Sequence, residues 1–265
     1  MDNIRSYLNW IKGYYEINRE ERNLAAIFYH VLLLNDNLTK FLGTISCKFS
    51  IKPEEVGIYF EYSYLRDLWF NIKNEKRVIE EDNRVKREII HRFLRPSNID
   101  ELKLMSTHEF NGYFGAVPIV SDEYIQSPGN WSIGKYQRNI KDNIEFLKVC
   151  KFKWAFNAKP DIVIHTSHDS AICIECKFES DEAQYPTNPS EIKEFKDRGL
   201  KRVTQTSLQK YMMEDLLGIR TQFVFLVQKE AAESETHTKL TWKQAFSNLS
   251  RDGCPFFIRE WIERL

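Results

Sequence analysis

Two apolar runs of this chain carry ionisable residues where only packing groups are expected: Pro160-Asp161 opens DIVIH, and Glu175-Cys176-Lys177 interrupts AICIECKFE. Side chains alternate faces along a strand, so Ala171, Cys173, Glu175 and Lys177 share one face while Ile172, Ile174, Cys176 and Phe178 share the other. In the preceding run Asp161, Val163 and His165 share a face, and one pairing register brings Asp161 near Glu175 and Lys177. Carboxylates set close together raise each other's proton affinity unless a cation lies between them. Oxygen donors of this kind suit Mg²⁺ or Mn²⁺, which keep several waters and also take phosphate oxygens. A lysine on the same face can orient or deprotonate an attacking water and offset charge growing on a phosphate. Phosphodiester hydrolysis is the chemistry this set suggests. The plain alternative is a surface sheet face with a cross-strand ion pair, worth about 0.2 to 1 kcal/mol.

The elements that must position these residues follow from periodicity. Residues 20–34, EERNLAAIFYHVLLL, begin charged and become apolar, as in a helix buried on most sides with acids at its N-terminal end. Residues 54–95 mix aromatics with dense charge at helical spacing and predict two or three helices, ended by Arg95-Pro96-Ser97-Asn98. Turn formers such as Asn111-Gly112, Pro118 and Ser127-Pro128-Gly129-Asn130 make 96–130 mostly loop with short elements. A helix is predicted over 133–149. Alternation then predicts a three-stranded meander over 152–156, 161–165 and 171–178. A polar segment around 180–192 leads to a helix over 200–217 stopped by Gly218, then a buried strand over 221–228 and closing helices over 242–249 and 258–265. The order predicts an α/β fold.

Pro160-Asp161, a gap of 13 residues and Glu175-Cys176-Lys177, on successive strands after a helix, resemble the signature of the PD-(D/E)XK nuclease superfamily, which includes restriction endonucleases and RecB-like nucleases. VTQTSLQKYMMEDLLG at 203–218 resembles the glutamine-tyrosine helix of RecB-like members; Gln205 and Gln209, four apart, lie on one helical ridge, whereas Tyr211 lies on another side. The resemblance covers residues 150–250 and leaves 50–130 unexplained. It implies a restriction-endonuclease-like core, a mixed central sheet flanked by helices. Residues 1–50 then supply the first core helix region, 51–130 a mainly helical insertion engaging substrate, and 131–265 the nuclease core.

The resemblance further implies that Asp161, Glu175 and the backbone carbonyl of Cys176 hold Mg²⁺ or Mn²⁺, that Lys177 positions the water, and that Gln205 or Gln209 steadies the phosphate or the lysine. A further glutamate is expected from the first core helix. Glu21 at the head of the apolar helix, its neighbour Glu20, and Glu145 in the helix before the meander all compete for that place. The implied reaction is hydrolysis of DNA phosphodiester bonds, in phage defence or restriction, by a homodimer or with protein partners of a defence system. A non-catalytic nucleic-acid-binding or assembly module, and an RNase or structure-selective nuclease, are the rival readings.

Composition sets the outer bounds. The chain has 265 residues, 42% hydrophobic and 29% charged, which is a globular rather than a disordered composition. Lysine plus arginine and aspartate plus glutamate both number 38, so any nucleic-acid surface is local rather than a global field. Five scattered cysteines are too few for a disulfide scaffold and favour a reducing cytoplasm. MDNIRSYLNW lacks a basic region followed by an apolar core, and Leu24–Leu34 falls far short of the roughly 20 apolar residues that span a bilayer, so neither export nor membrane insertion is expected.

Cys173 and Cys176 form C-x-x-C, but on a strand they point to opposite faces, which argues for small buried side chains over zinc. His165 and His168 read as turn histidines. Lys193, Lys196, Arg198, Lys201, Arg202 and Lys210, with Arg84, Lys86, Arg87, Arg92 and Arg95, either track a phosphate backbone or form solvated faces. P-loop, dinucleotide and nucleophile-elbow motifs are absent.

Overall fold

A computed structural model of the chain describes residues 20–72, 78–116, 123–178, 181–228 and 237–265. The predicted turn at Pro118 lies outside them. In chain order the elements are α1 Glu21–Leu32, α2 Asn37–Thr44, β1 Gly57–Phe60, α3 Tyr64–Asn71, α4 Ile79–Leu94, α5 Ile99–Leu104, α6 Thr107–Tyr113, α7 Ile133–Tyr136 and α8 Asn143–Ala155. They continue with β2 Ile162–Ser167, β3 Ser170–Cys176, β4 Gln184–Tyr185, α9 Pro189–Asp197, β5 Val203–Thr204, α10 Gln205–Lys210, β6 Arg220–Val227, β7 Thr238–Thr241, α11 Trp242–Phe246 and α12 Phe256–Glu263. Chain contacts divide these into two compact units, Met1–Glu61 with Asp161–Asp181 and Thr221–Leu265, and Tyr62–Pro160 with Glu182–Arg220.

The first unit is built on a five-stranded mixed sheet of order β1-β2-β3-β6-β7. β1, β2 and β3 are antiparallel, with Val163 opposite Cys173 and Ile162 opposite Ile174, while β6 and β7 run parallel. One face carries Ile162, Ile164, Ile172, Ile174, Cys176, Val224 and Leu226 into a core filled by α1, α2, α11 and α12. Phe28 of α1 is the hub, in edge contact with Phe41, Trp242 and Phe246 at centroid distances of 5.1, 5.8 and 5.2 Å. The other face of the hairpin holds Val163, Ala171, Cys173 and Glu175, all buried. The coarse α/β reading is therefore correct.

The second unit packs α8 against α4 and α10 around an aromatic core. Trp131 stacks on Phe114 at 4.0 Å, and Phe195 of α9 lies 5.7 Å from both Phe146 and Trp154. Arg198 closes the unit: its guanidinium lies 4.0 Å from the Phe146 ring centroid and donates to the carbonyls of Gln137 and Ile140 at 3.1 and 3.2 Å.

Four local expectations are overturned. Residues 152–156 do not form a strand; 152–155 are the last turn of α8. Asp142 starts that helix by accepting from the Ile144 and Glu145 amides at 3.0 and 2.8 Å, and burial of Phe146, Val149, Cys150, Phe152 and Trp154 on several sides leaves no single apolar stripe to see. The same cap splits the expected 133–149 helix, leaving α7 as a separate short turn. The third meander strand is instead Gly57–Phe60, placed among helices by its charged neighbours but fixed by pairing with β2. The predicted 200–217 helix begins only at Gln205, and its second half, Tyr211–Leu216, widens to π spacing before Gly218 adopts φ +67°.

Candidate active site

Lys177 follows β3 directly, and strand alternation puts its side chain on the face of Glu175. Its Nζ lies 2.8 Å from Glu175 Oε1 and 2.8 Å from Glu21 Oε1. Glu175 is fully buried and Lys177 nearly so, at 7% exposure. Burial by itself would depress the ammonium's pKa, but Glu175 and Glu21 outweigh it and hold the group above the usual lysine range. The lysine is thus a permanent cation at neutral pH. Its backbone is pinned from both sides, the N–H donating to Leu226 O at 2.7 Å and the carbonyl accepting from Trp242 Nε1 at 2.9 Å.

Asp161 immediately precedes β2, and continuing the ladder from Ile162–Ile174 sets it opposite Glu175. Its Oδ2 accepts from the Cys176 amide at 2.8 Å. Burial pushes its carboxyl up to about 6, an effect eased by the Cys176 N–H and Lys177 and reinforced by the charges of Glu21 and Glu61.

Glu61 is a member the sequence reading missed. It follows β1 in left-handed conformation (φ 51°), donates its N–H to Asp161 O at 2.8 Å, and forms an ion pair with Arg22 at 2.7 Å. Only recognition of IYF at 58–60 as a strand could have placed it here.

No protein-family model, curated protein or solved structure matches the chain.

Of the three competing glutamates, Glu21 is the one whose carboxylate meets Lys177; its Oε2 also accepts from the Phe178 amide at 3.4 Å. Glu20 is exposed, and its carbonyl accepts from the Asn23 and Leu24 amides to start α1. Glu145 belongs to the second unit, where it lies 3.6 Å from Lys148 Nζ. Gln205 and Gln209 also belong to that unit, on α10: Gln209 is buried, and the Gln205 amide donates to Ala183 O at 2.8 Å. Cys176 gives Asp161 its amide, while its thiol lies in the apolar core with a pKa pushed far up by burial.

Cys173 and Cys176 take opposite faces, as the alternation requires. His168 caps its turn through Glu55, which accepts from its amide at 3.0 Å, and His165 rests edge-on against Tyr59. Several of the basic candidates serve structure, among them Arg198 as described, Arg202 by donating to the carbonyls of Gln184 and Pro186, and Arg87 by donating to the Met105 carbonyl.

Among the described residues no group of three histidine, cysteine, aspartate or glutamate side chains is arranged to hold a metal ion. The donor chemistry nevertheless suits a hard cation, because Mg²⁺ needs only one or two protein carboxylates and completes its shell with water and phosphate. Electrostatics point the same way. Lys177 spans Glu21 and Glu175, and Asp161 beside them is left proton-hungry, first by burial and to a lesser degree by the charges of Glu21 and Glu61, so a cation bound there would favour its ionised form.

Proposed function

We propose that the chain is a metal-dependent nuclease of the PD-(D/E)XK type that hydrolyses DNA phosphodiester bonds. The observation that carries the reading is the convergence of Glu21, Glu175 and Lys177, with Asp161 on the adjoining strand end. Asp161 and Glu175, with Glu21, are the residues that would hold Mg²⁺ or Mn²⁺; when bound, the ion supplies Lewis acidity to a phosphate oxygen and acidifies a water.

The protein's own groups have distinct parts. Lys177, kept protonated by its carboxylates, acts as a donor that orients the water or balances charge on the phosphate rather than as a base. The Cys176 amide fixes the Asp161 carboxylate, and Trp242 fixes the backbone of Lys177. Gln205 or Gln209 as a phosphate-steadying amide belongs to the proposal through the resemblance.

The test is cleavage of supercoiled and linear DNA, with matched RNA, in Mg²⁺ or Mn²⁺, by wild type and Lys177→Ala. Loss of at least about a hundredfold in rate is expected for the variant. Equal products from both proteins would remove Lys177 from the mechanism. The rival is a non-catalytic nucleic-acid-binding module, favoured by the closed ion pairing of Lys177 with Glu21 and Glu175. It requires DNA binding in EDTA and no cleavage under any metal.

A further inference from the structure

The second unit has a concavity of about 530 Å³ lined by Arg84, Arg87, Glu88, His91, Arg92, Ile99 and Lys103. Four cations face one carboxylate there, although the chain as a whole is neutral. They come from two elements: α4 supplies Arg84, Arg87 and Arg92 from successive turns, and α5 supplies Lys103. His91, on the same side of α4, is only 9% exposed, and its Nε2 has no hydrogen-bond partner among the described residues. A buried polar nitrogen left so costs about 1–3 kcal/mol, so an unpaired one beside a cationic pocket calls for an explanation.

We infer that this concavity binds a phosphate ester, with the His91 Nε2–H as the donor at its floor and Arg84, Arg92 and Lys103 as the cations of its rim. Arg87 is the fixed element. Its guanidinium donates to Met105 O at 2.7 Å and lies 4.8 Å from the Phe110 ring centroid, so it contributes charge without swinging. The rim cations are differently placed. Arg84 and Lys103 meet Glu81 and Asp100 only at 3.8 Å, in exposed ion pairs of little value that an anion displaces readily. Because His91 Nε2 is buried, contact with a ligand requires neighbouring side chains to turn aside, and exposed side chains rotate fast. His91 itself is held below the usual histidine range by burial and then by Lys103 and Arg87, so it is neutral at pH 7 and an anion would relieve both cations.

The ligand is a phosphate on a free nucleotide or on a nucleic-acid backbone, and the chemistry at the floor is the same for both. No residue of the carboxylate–lysine set takes part, so the inference stands apart from the catalytic reading and is tested without a metal. The full chain in EDTA is titrated with adenosine monophosphate, with adenosine and with a short DNA duplex, while the imidazole ¹⁵N resonances are followed by NMR; His91→Phe assigns the signal.

The monophosphate or the duplex, but not adenosine, is expected to shift the His91 signal. Arg92→Ala/Lys103→Ala, two exposed positions that leave the fold intact, should weaken that ligand about tenfold and lower the salt slope of duplex binding by about two. A response to the monophosphate alone assigns a nucleotide site, and a response to the duplex alone assigns a backbone contact. An unmoved His91 signal with both ligands, or unchanged affinity in the double variant, overturns the inference.

Discussion

Asp161 carries the clearest electrostatic strain in the chain. Its carboxyl, ordinarily at 3.8, is pushed up to about 6, first by burial and then by Glu21 and Glu61. Between those values the folded chain keeps a proton that the unfolded chain has released, so stability falls as pH rises through the window and stays lowered above it. The full penalty is at most about 3 kcal/mol. Asp161→Asn keeps an oxygen for the Cys176 amide and removes the charge. In EDTA the variant should melt higher than wild type at pH 7.5, and the difference should shrink as pH approaches 4. Thermal denaturation at the two pH values checks this, and an equal gain at both would mean that the carboxylate is not strained. Asp161, Glu175 and Lys177 could be picked out from sequence because strand parity alone decides which of them share a face. Glu61 could not, since its place depends on a four-residue strand that only its partner β2 defines.

At the scale of elements, Lys177 depends on α11. The Trp242 indole is fully buried and bonds the Lys177 carbonyl, so Trp242→Phe keeps most of the packing and strands that oxygen. A loss of about 1–3 kcal/mol is expected in urea unfolding, with cleavage lowered as well. Phe28→Ala, at the meeting point of α1, α2 and α11, should cost about 3–5 kcal/mol by the same measurement. A loss below 1 kcal/mol there would contradict the hub role. Helix α1 and strand β6 were legible because each is long and strongly patterned. α8 misled because a helix packed on several sides shows no clean period, and KFKWAF imitates alternation over five residues. α9, β7 and α2 gave no expectation at all, their patterns being short or polar.

At the scale of the molecule, the two units are interleaved in sequence, with the second assembled from Tyr62–Pro160 and Glu182–Arg220. A fragment of residues 62–160 therefore lacks Phe195 and Arg198, which complete its aromatic core. It should show no cooperative melt by circular dichroism, whereas the same fragment linked to 182–220 should regain one. Cooperative melting of 62–160 alone would refute that division. Net charge does not show the basic concavity of the second unit, because a sum over the chain averages away what α4 and α5 concentrate; Arg84, Arg87 and Arg92 were legible as a basic cluster in the sequence, whereas Lys103 of α5 was not. Among the described residues no helix is long and apolar enough to cross a membrane.

The hairpin between Asp161 and Glu175 turns at His168-Asp169, with one irregularity between His165 and Ser167. Length changes in related chains should consequently obey a parity rule. Adding or deleting two residues in the arm before Glu175 leaves acids and lysine on a common side, while a single residue exchanges Glu175 with a thiol and sends a charge into the apolar layer. Only a longer turn at His168-Asp169 or a second kink in the strand could absorb an odd change, so descendants of this hairpin should vary in steps of two within the arm or carry the odd residue at the turn or a kink.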